Sequence, residues 1–497
     1  MPNTTRPAHR CALIVKLLLA SSLIAAAGCA PLPRTGSAPA VKKVEQLGSA
    51  DSFTAPIAAW PGDGWWHAYG DSQLDGLIDE GLRGSPNLDL ARARLLSASA
   101  MVKSAHAARM PEVTGSASFT EQKQSYNNII PKDALPQGWR DYGLATLNLT
   151  YELDFWGKNR AALAAALSEQ RAAEVEVDEA RLIISTSIAS AYAGLVNLYT
   201  LRDNAVATLN LRTKTVELFR QRHRFGLETL SSVREVEARQ AGAQADVLTL
   251  DESIGLQRNA IAALLGAGPD RGLAIARPTA QFAGSQGLPP NLALDLLGRR
   301  PDILAARLRT EAAARRIDQA KAGFYPSVNL IALIGVQSLG IENLVKSGSD
   351  LGGAGPAISL PIFNTERLQG QLRGAHADYD AAVATYNATL TNALREVADA
   401  ATSRRALDGE LAASRAAVAA AAEAHDIVSR RYQGALATYL DVLTAEDQLI
   451  VAQRADAELE TRALILDVAL VRALGGGYSP ESVGAKSNTP TVEPKHS

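Results

Sequence analysis

Two hydrophobic periods alternate along this chain. From Gly157 to Phe225 there is no proline, and the only interior glycine is Gly194. Within that stretch Ile188, Tyr192, Leu195, Tyr199, Val206, Leu209 and Val216 fall on a three-four spacing with charges between them. This predicts a helix with a coiled-coil seam. At about 1.5 Å per residue it would run to about 100 Å, too long for a compact domain. Val383, Tyr386, Leu390, Ala393, Val397, Ala400, Leu407, Leu411 and Val418 repeat the pattern. Each long helix is expected to turn, near Gly226 or Gly434, into a returning one, pairing 157–225 with 228–265 and 364–433 with 435–474.

Ahead of each long helix the period changes to two. In Val113 to Thr120 the odd positions are apolar or small and the even ones carry hydroxyls, and Thr146 to Leu153 alternates the same way. Such segments predict strands with one face suited to lipid and one to water. The later half offers 328–338 and 353–362, where the alternation is weaker and Pro356 is awkward for a ladder. Four strands, about 113–121, 142–154, 328–338 and 353–362, cannot close a barrel. A sheet crossing hydrocarbon must close, and known closures begin near eight strands, so two chains would pool eight or three chains twelve. The alternative is a soluble four-stranded sheet.

These elements occur twice because the chain is duplicated. Pro86 to Pro111 matches Pro301 to Pro326 without a gap: Ala91 with Ala306, Arg92 with Arg307, Arg94 with Arg309, Ala98 with Ala313. Further on, Leu153-Asp154-Phe155-Trp156 answers Leu360-Pro361-Ile362-Phe363, and Leu265-Gly266-Ala267-Gly268 answers Leu474-Gly475-Gly476-Gly477. A period of about 210 residues is a doubled domain and not a solenoid.

The ends change the cellular setting. Arg6, Arg10 and Lys16, then the apolar Leu17 to Ala27, then Ala26-Ala27-Gly28-Cys29 read as a secretory signal. Small residues before Cys29 resemble a bacterial lipobox, which implies acylation of Cys29 (a covalent palmitate-type lipid, with no other cofactor) after removal of residues 1–28. Ala30 at the next position resembles sorting to the outer membrane. Cys11 leaves with the signal, so no disulfide forms within one mature chain. The expected plan is then 29–70 as a lipid-anchored N-terminal segment with a linker from Pro31 to about Ala50, 71–281 as the first repeat, 282–476 as the second, and 477–497 as a flexible tail. No window approaches 18 consecutive apolar residues beyond the signal, so any membrane span should be β.

A formal net charge of −2, with no basic cluster among aromatics, argues against nucleic acid as a partner. The histidines are scattered without metalloprotease spacing, Gly266-Ala267-Gly268 follows a helix instead of a strand, and no G-x-S-x-G or Walker motif occurs, so an enzyme is not expected. Trp65, Trp66 and Tyr69 read as a packing anchor more naturally than as a ligand cage. Three methionines give no ladder for copper.

Several motifs in combination carry a family resemblance: Trp65-Trp66-His67-Ala68-Tyr69-Gly70-Asp71, Glu152-Leu153-Asp154-Phe155-Trp156-Gly157-Lys158, Arg299-Arg300-Pro301-Asp302-Ile303, Phe324-Tyr325-Pro326-Ser327 and Leu360-Pro361-Ile362-Phe363. From about Trp65 to Gly477 the chain resembles outer-membrane efflux proteins of the TolC type, nearest their lipoprotein branch. The resemblance implies a mainly helical fold: coiled-coil hairpins forming a periplasmic barrel, and a transmembrane β-barrel of four strands per chain, twelve in a homotrimer. It also implies an exit duct that is not an enzyme, served by a periplasmic adaptor (membrane fusion protein) and an inner-membrane pump of RND or MFS type. The expected cargo is small molecules such as drugs, dyes or aromatic compounds. A type I protein-secretion duct, or a non-channel coiled-coil lipoprotein, is the alternative.

The family closes at its periplasmic hairpin turns. Laid over this chain, its motif puts Asp441 at a lumen-facing position, where three copies would form an acidic ring favouring cations and raising one another's pKa. A helix-start aspartate complementing the dipole is the plainer reading. The family's second aspartate is Thr444 here, its turn arginine is Ala437, and the first-half aspartate partner is Ser232, beside Val233; Tyr432 is kept. The resemblance therefore implies a gate of Tyr432, Asp441, Thr444 and Ser232 without an arginine-aspartate pair, its asymmetry lying in the second copy.

Overall fold

A computed structural model describes residues 39–48, 52–53, 56–127, 132–279, 287–290 and 292–479. The signal, Cys29 and most of the expected tail lie outside them. Thirteen helices and strands follow in order: α1 (Ser72–Gly84), α2 (Pro86–Ala107), β1 (Glu112–Gln122), β2 (Arg140–Leu153), α3 (Lys158–Arg224), α4 (Leu230–Leu264), α5 (Asp270–Leu273), α6 (Leu292–Arg299), α7 (Pro301–Ala322), β3 (Ser327–Leu339), β4 (Asp350–Ser359), α8 (Thr365–Gln433) and α9 (Tyr439–Ala473). The duplication is plain in their lengths. α2 and α7 each have 22 residues, α4 and α9 each have 35, and α3 and α8 have 67 and 69.

Two units divide the chain. One comprises Leu96–Ala172 with Arg307–Thr385, and the other Val41–Leu95, Ala173–Ala306 and Tyr386–Ser497, each among its described residues. The first holds an antiparallel sheet in the order β1-β2-β3-β4. Its register puts Leu147 opposite Gly115 and Ile334, and Ile334 opposite Gly352. The sheet's β-structure ends where the backbone chemistry changes. β2 stops at Leu153 because Asp154 turns to cap the next helix, accepting from the backbone N–H of Asn159 (3.3 Å) and Arg160 (2.9 Å). β4 runs from Asp350 to Ser359 instead of 353–362, since Pro361 has no N–H to extend the ladder. Pro356, in β4, the outer strand of the four in this chain, stands opposite Leu330.

The second unit is built on the long seams. Ile188, Tyr192 and Leu195 are buried with Trp65, Trp66, Tyr69, Leu74 and Ile78 in one cluster, and Leu390, Ala393 and Val397 with Leu292, Leu296 and Ile303 in a second. The Trp65-Trp66-Tyr69 group is thus core, its rings meeting edge to face. One sequence expectation needs correcting: α3 does contain an 18-residue window of mean hydropathy 1.4, since no charge lies between Arg181 and Arg202. Its Ile184, Ile188, Tyr192 and Leu195 are core residues, which accounts for the apolar run without a membrane span.

Two presumed flexible stretches are in part packed. Val44 of the expected linker is buried, and the Lys42 backbone donates to Asn387 Oδ1 at 2.9 Å. Gly477, the first residue of the expected tail, has positive φ like Gly475 and Gly476 before it, and a Cβ on it would lie 2.4 Å from the Gly62 carbonyl. A Cβ would likewise lie 2.1 Å from the Arg299 carbonyl oxygen at Gly475 and 2.2 Å from Leu182 Cδ1 at Gly476. Only glycine permits both the conformation and the close approach.

Candidate functional site

The two hairpin turns are built alike and finished differently. Each long helix ends in a C-terminal cap in which the N–H three residues past the end bonds five back: Leu227 to Arg222 (3.0 Å) and Leu436 to Arg431 (2.8 Å). The left-handed residue this cap requires is Gly226 in the first turn and Ala435 in the second. Gly434, the residue on which the sequence places the turn, is one position early. Ala435 is the one non-glycine with positive φ among the described residues, and a Cβ there costs about 1 kcal/mol. Ala435→Gly should raise stability by about that amount, read as an upward shift of the unfolding midpoint.

Each returning helix then opens on a threonine cap. Thr229 Oγ1 accepts from Ser232 N–H (3.1 Å), and Thr438 Oγ1 accepts from Asp441 N–H (3.3 Å). Ser232 and Asp441 therefore occupy one helical position in the two repeats. Ser232 is buried, its hydroxyl 2.9 Å from that of Thr229. Asp441 is exposed; its Oδ2 accepts from Thr438 N–H (2.8 Å) and Oγ1 (2.6 Å), closing a capping box. The Thr438 hydroxyl, then its N–H, hold this carboxyl below the usual aspartate range. Thr444, one turn on, is exposed and donates to the Leu440 carbonyl. The plain reading of Asp441 as a helix-start residue is thus satisfied within one chain, and the structure brings it to neither Tyr432 nor Ser232.

Tyr432 does join the repeats, through a residue that the sequence reading missed. It is 3% exposed, and its hydroxyl donates to Glu228 Oε1 at 2.6 Å. The ring lies stacked against Phe219 with centroids 5.8 Å apart, and the Arg222 guanidinium stands 4.6 Å from its centroid. Burial, then the bond to Glu228, push the phenol well above its ordinary pKa, so it stays a donor. Glu228, four residues before Ser232, is the carboxylate partner. It corresponds in the repeat to Ala437, so the signal available was an acid in the first turn opposite the missing basic residue of the second. His223, the counterpart of Tyr432, makes only a local contact, Nδ1 to the Glu228 carbonyl oxygen at 2.9 Å.

Further along the hairpins a second set of cross-repeat contacts follows. Asp447 takes Arg212 (3.1 Å) and Arg239 (2.8 Å), Glu446 takes Arg212 (3.4 Å), and Tyr439 donates to Glu235. Glu446 is 2% exposed and its Oε2 has no hydrogen-bond partner. Burial pushes its carboxyl up, with Arg212 pulling the other way. Val216, Phe219, Val233, Val236, Val442 and Leu443 fill the space between these polar contacts.

In the other unit the sheet has two unlike faces. Successive residues alternate sides, so the register gathers Val113, Ala117, Phe119, Ala145, Leu147, Leu149, Leu330, Ala332, Ile334, Val336, Ala354 and Ile358 on one face, which turns polar only at one end, with Glu121, Asp141, Ser338 and Asp350. The other face carries Thr114, Ser116, Ser118, Thr120, Thr146, Asn148 and Thr150, with Ser116 and Thr146 hydroxyls 2.8 Å apart. Every residue of β1 is exposed. The outer edges of β1 and β4 pair with no other strand among the described residues.

Comparison with known proteins agrees with this geometry. The family described as outer membrane efflux protein matches residues 77–267 and 292–476. The fusaric acid resistance protein FusA of Burkholderia cepacia is 36% identical over 368 residues, covering 72% of this chain and 68% of that one. The multidrug resistance outer membrane protein MdtP of Escherichia coli K12 is 30% identical over 482 residues, covering 95% and 98%. Among solved structures, the outer membrane protein VceC of Vibrio cholerae superposes with a TM-score of 0.80 at 49% identity, covering 84% of this chain and 100% of that one. The outer-membrane channel OprN gives 0.79 at 27% identity, covering 90% and 99%. With its doubled helical hairpins and its two-faced sheet, the chain belongs to the outer membrane efflux protein family, the TolC-type channels.

Proposed function

We propose that three copies of this chain form an exit duct across the outer membrane for small molecules, extending into the periplasm and loaded by an inner-membrane pump, of RND or MFS type, through a periplasmic adaptor. The sheet carries this reading: four strands with one face apolar over most of its length, and two edges unpaired among the described residues, need neighbours to close in lipid. Three copies give twelve strands, within the range of known barrels. FusA and MdtP are named for resistance to fusaric acid and to multiple drugs, which favours drugs or aromatic acids as cargo over secreted protein. Cys29 is the proposed lipid anchor; palmitate labelling that survives Cys29→Ala would exclude it. The decisive experiment combines oligomeric mass with planar-bilayer conductance. A heat-modifiable trimer that conducts supports the duct, whereas a water-soluble monomer after removal of the lipid supports a periplasmic spacer.

The gate is proposed at the hairpin tips, with Tyr432 and Glu228 tying the repeats inside each chain, and Ser232 and Thr444 at the two helix starts. Three Asp441 carboxylates around the threefold axis would form a cation-favouring ring. Their mutual repulsion would act against the Thr438 bonds that lower the carboxyl within each chain. Asp441→Ala should lower the cation-to-anion permeability ratio several-fold while leaving trimer formation intact. An unchanged reversal potential across a salt gradient would rule out the ring and leave Asp441 as a cap alone.

A further inference from the structure

The hydroxyl-bearing face of the sheet is polar on β1 and β2 and changes character on β3 and β4. There the register sets Ile331 opposite Gly355, Leu333 opposite Gly353, and Leu351 opposite Gly335. Asn329 and Gln337 bound this aliphatic patch along β3, and from Ile331 to Gly335 it runs about 14 Å at the rise of a strand. Leu333 and Leu351 are half-buried and Ile331 is exposed. Half of the six positions carry no side chain. At Gly335 a Cβ would lie 2.2 Å from the Ala145 carbonyl oxygen, whereas at Gly353 and Gly355 it would meet open space. The patch is thus a flat glycine floor with an aliphatic side chain beside each gap.

The polar residues beside it are linked in one direction. Asn148 Nδ2 donates to Thr146 Oγ1 at 3.2 Å, and the Thr146 and Ser116 hydroxyls are 2.8 Å apart. With its oxygen accepting from Asn148, Thr146 has its own O–H to give to Ser116, which leaves the Ser116 O–H to donate to a ligand. Such a chain polarises its last donor, and an ionised acceptor gains most from it. In the two cross-strand rows that hold Ser116 with Thr146 and Thr114 with Asn148, no residue is charged. Where the same face ends, the Arg140 guanidinium donates to the Gln137 carbonyl (3.2 Å) and has no carboxylate partner among the described residues.

Ser116 and the floor at Gly335 are two strands apart, about 10 Å, the reach of a two-ring aromatic acid. We propose that this face holds, in each chain, a transit site for small aromatic acids: the rings lie on the glycine floor against Leu333 and Leu351, and the carboxylate accepts from the Ser116 hydroxyl. Open to water on one side, the site binds weakly, as passage through a pore requires. This inference rests on the duct reading and deepens it, because the sheet then sorts anions of equal charge by their apolar surface.

The test uses the full-length protein in planar bilayers, with 2-naphthoate or gluconate, each a monoanion, added on the side opposite the long helices. In the wild type 2-naphthoate should halve the current at a concentration about fivefold or more below that of gluconate. Leu333→Ser combined with Leu351→Ser should bring that ratio below about twofold. Gly353→Thr should do the same by filling the floor; its new Cβ stands in open space and disturbs no packing, so it decides the matter if the double variant fails to assemble. Ser116→Ala should raise the half-blocking concentration of 2-naphthoate about threefold or more. A ratio that stays at the wild-type value in Gly353→Thr, or a half-blocking concentration unchanged in Ser116→Ala, overturns the site. A conducting wild type blocked equally by both anions overturns the site alone, whereas a wild type that passes no current in salt overturns the duct.

Discussion

Tyr432→Phe should open the duct. The substitution keeps the ring between Phe219 and Arg222 and deletes only the hydroxyl that donates to Glu228 at 2.6 Å. A hydrogen bond to a charged group contributes about 1.5–3 kcal/mol, so each chain's closed-to-open ratio should fall by roughly tenfold or more. If the three chains open together the effect multiplies. Single-channel recording at low salt should show the open probability rising from rare openings to long-lived ones, and Glu228→Ala should act in the same direction. The Arg212, Arg239 and Asp447 contacts remain in both variants, so the two hairpins should stay paired within each chain. Open probability indistinguishable from wild type in both variants would remove the Tyr432–Glu228 bond from the gate.

Leu147→Arg should abolish insertion, and Asn148→Arg should not. The two residues are adjacent in β2 and lie on opposite faces, Leu147 with Ile334 and Asn148 with Leu333 across the ladder. In the proposed barrel Leu147 meets hydrocarbon, where an arginine costs about 2–4 kcal/mol near the midplane, once per chain. Asn148 neighbours Thr146, to which its Nδ2 donates at 3.2 Å, on the hydroxyl-bearing face where a cation stays hydrated. The heat-modifiable trimer in outer-membrane fractions should vanish for the first variant and persist for the second. Equal recovery of both would mean that the apolar face does not face lipid.

Several parts of this architecture are local and therefore legible in the residues. The doubled order of elements, the long helices and the strand segments rest on periods of 3.5 and 2, which need no neighbour to be read. The threonine caps at Thr229 and Thr438 are likewise local. The errors cluster where a distant contact decides. Gly434 drew the turn because it is the glycine, yet the cap places its left-handed residue at Ala435. Gly477 reads as the start of the tail and is instead pressed onto the Gly62 backbone, where a Cβ would lie 2.4 Å from the Gly62 carbonyl.

The gate shows the same division more sharply. The family resemblance marked Tyr432 as retained and placed Asp441 at a lumen-facing ring position, with a helix-start carboxylate as the plainer alternative, because both are tied to motif position. It assigned the first-half partner to Ser232, since motif position was the only guide. Packing of the two hairpin tips around Phe219 brings Glu228, 204 residues away in sequence, to Tyr432, and no periodicity encodes which acidic side chain will stand opposite a buried phenol. The same holds for Asp447 with Arg212 and Arg239. The sequence by itself thus determined the elements, the duplication and the two faces of the sheet, all of which follow from backbone period and residue polarity. Only the tertiary structure decided which charges pair across the repeats, because that depends on side chains converging from turns more than two hundred residues apart.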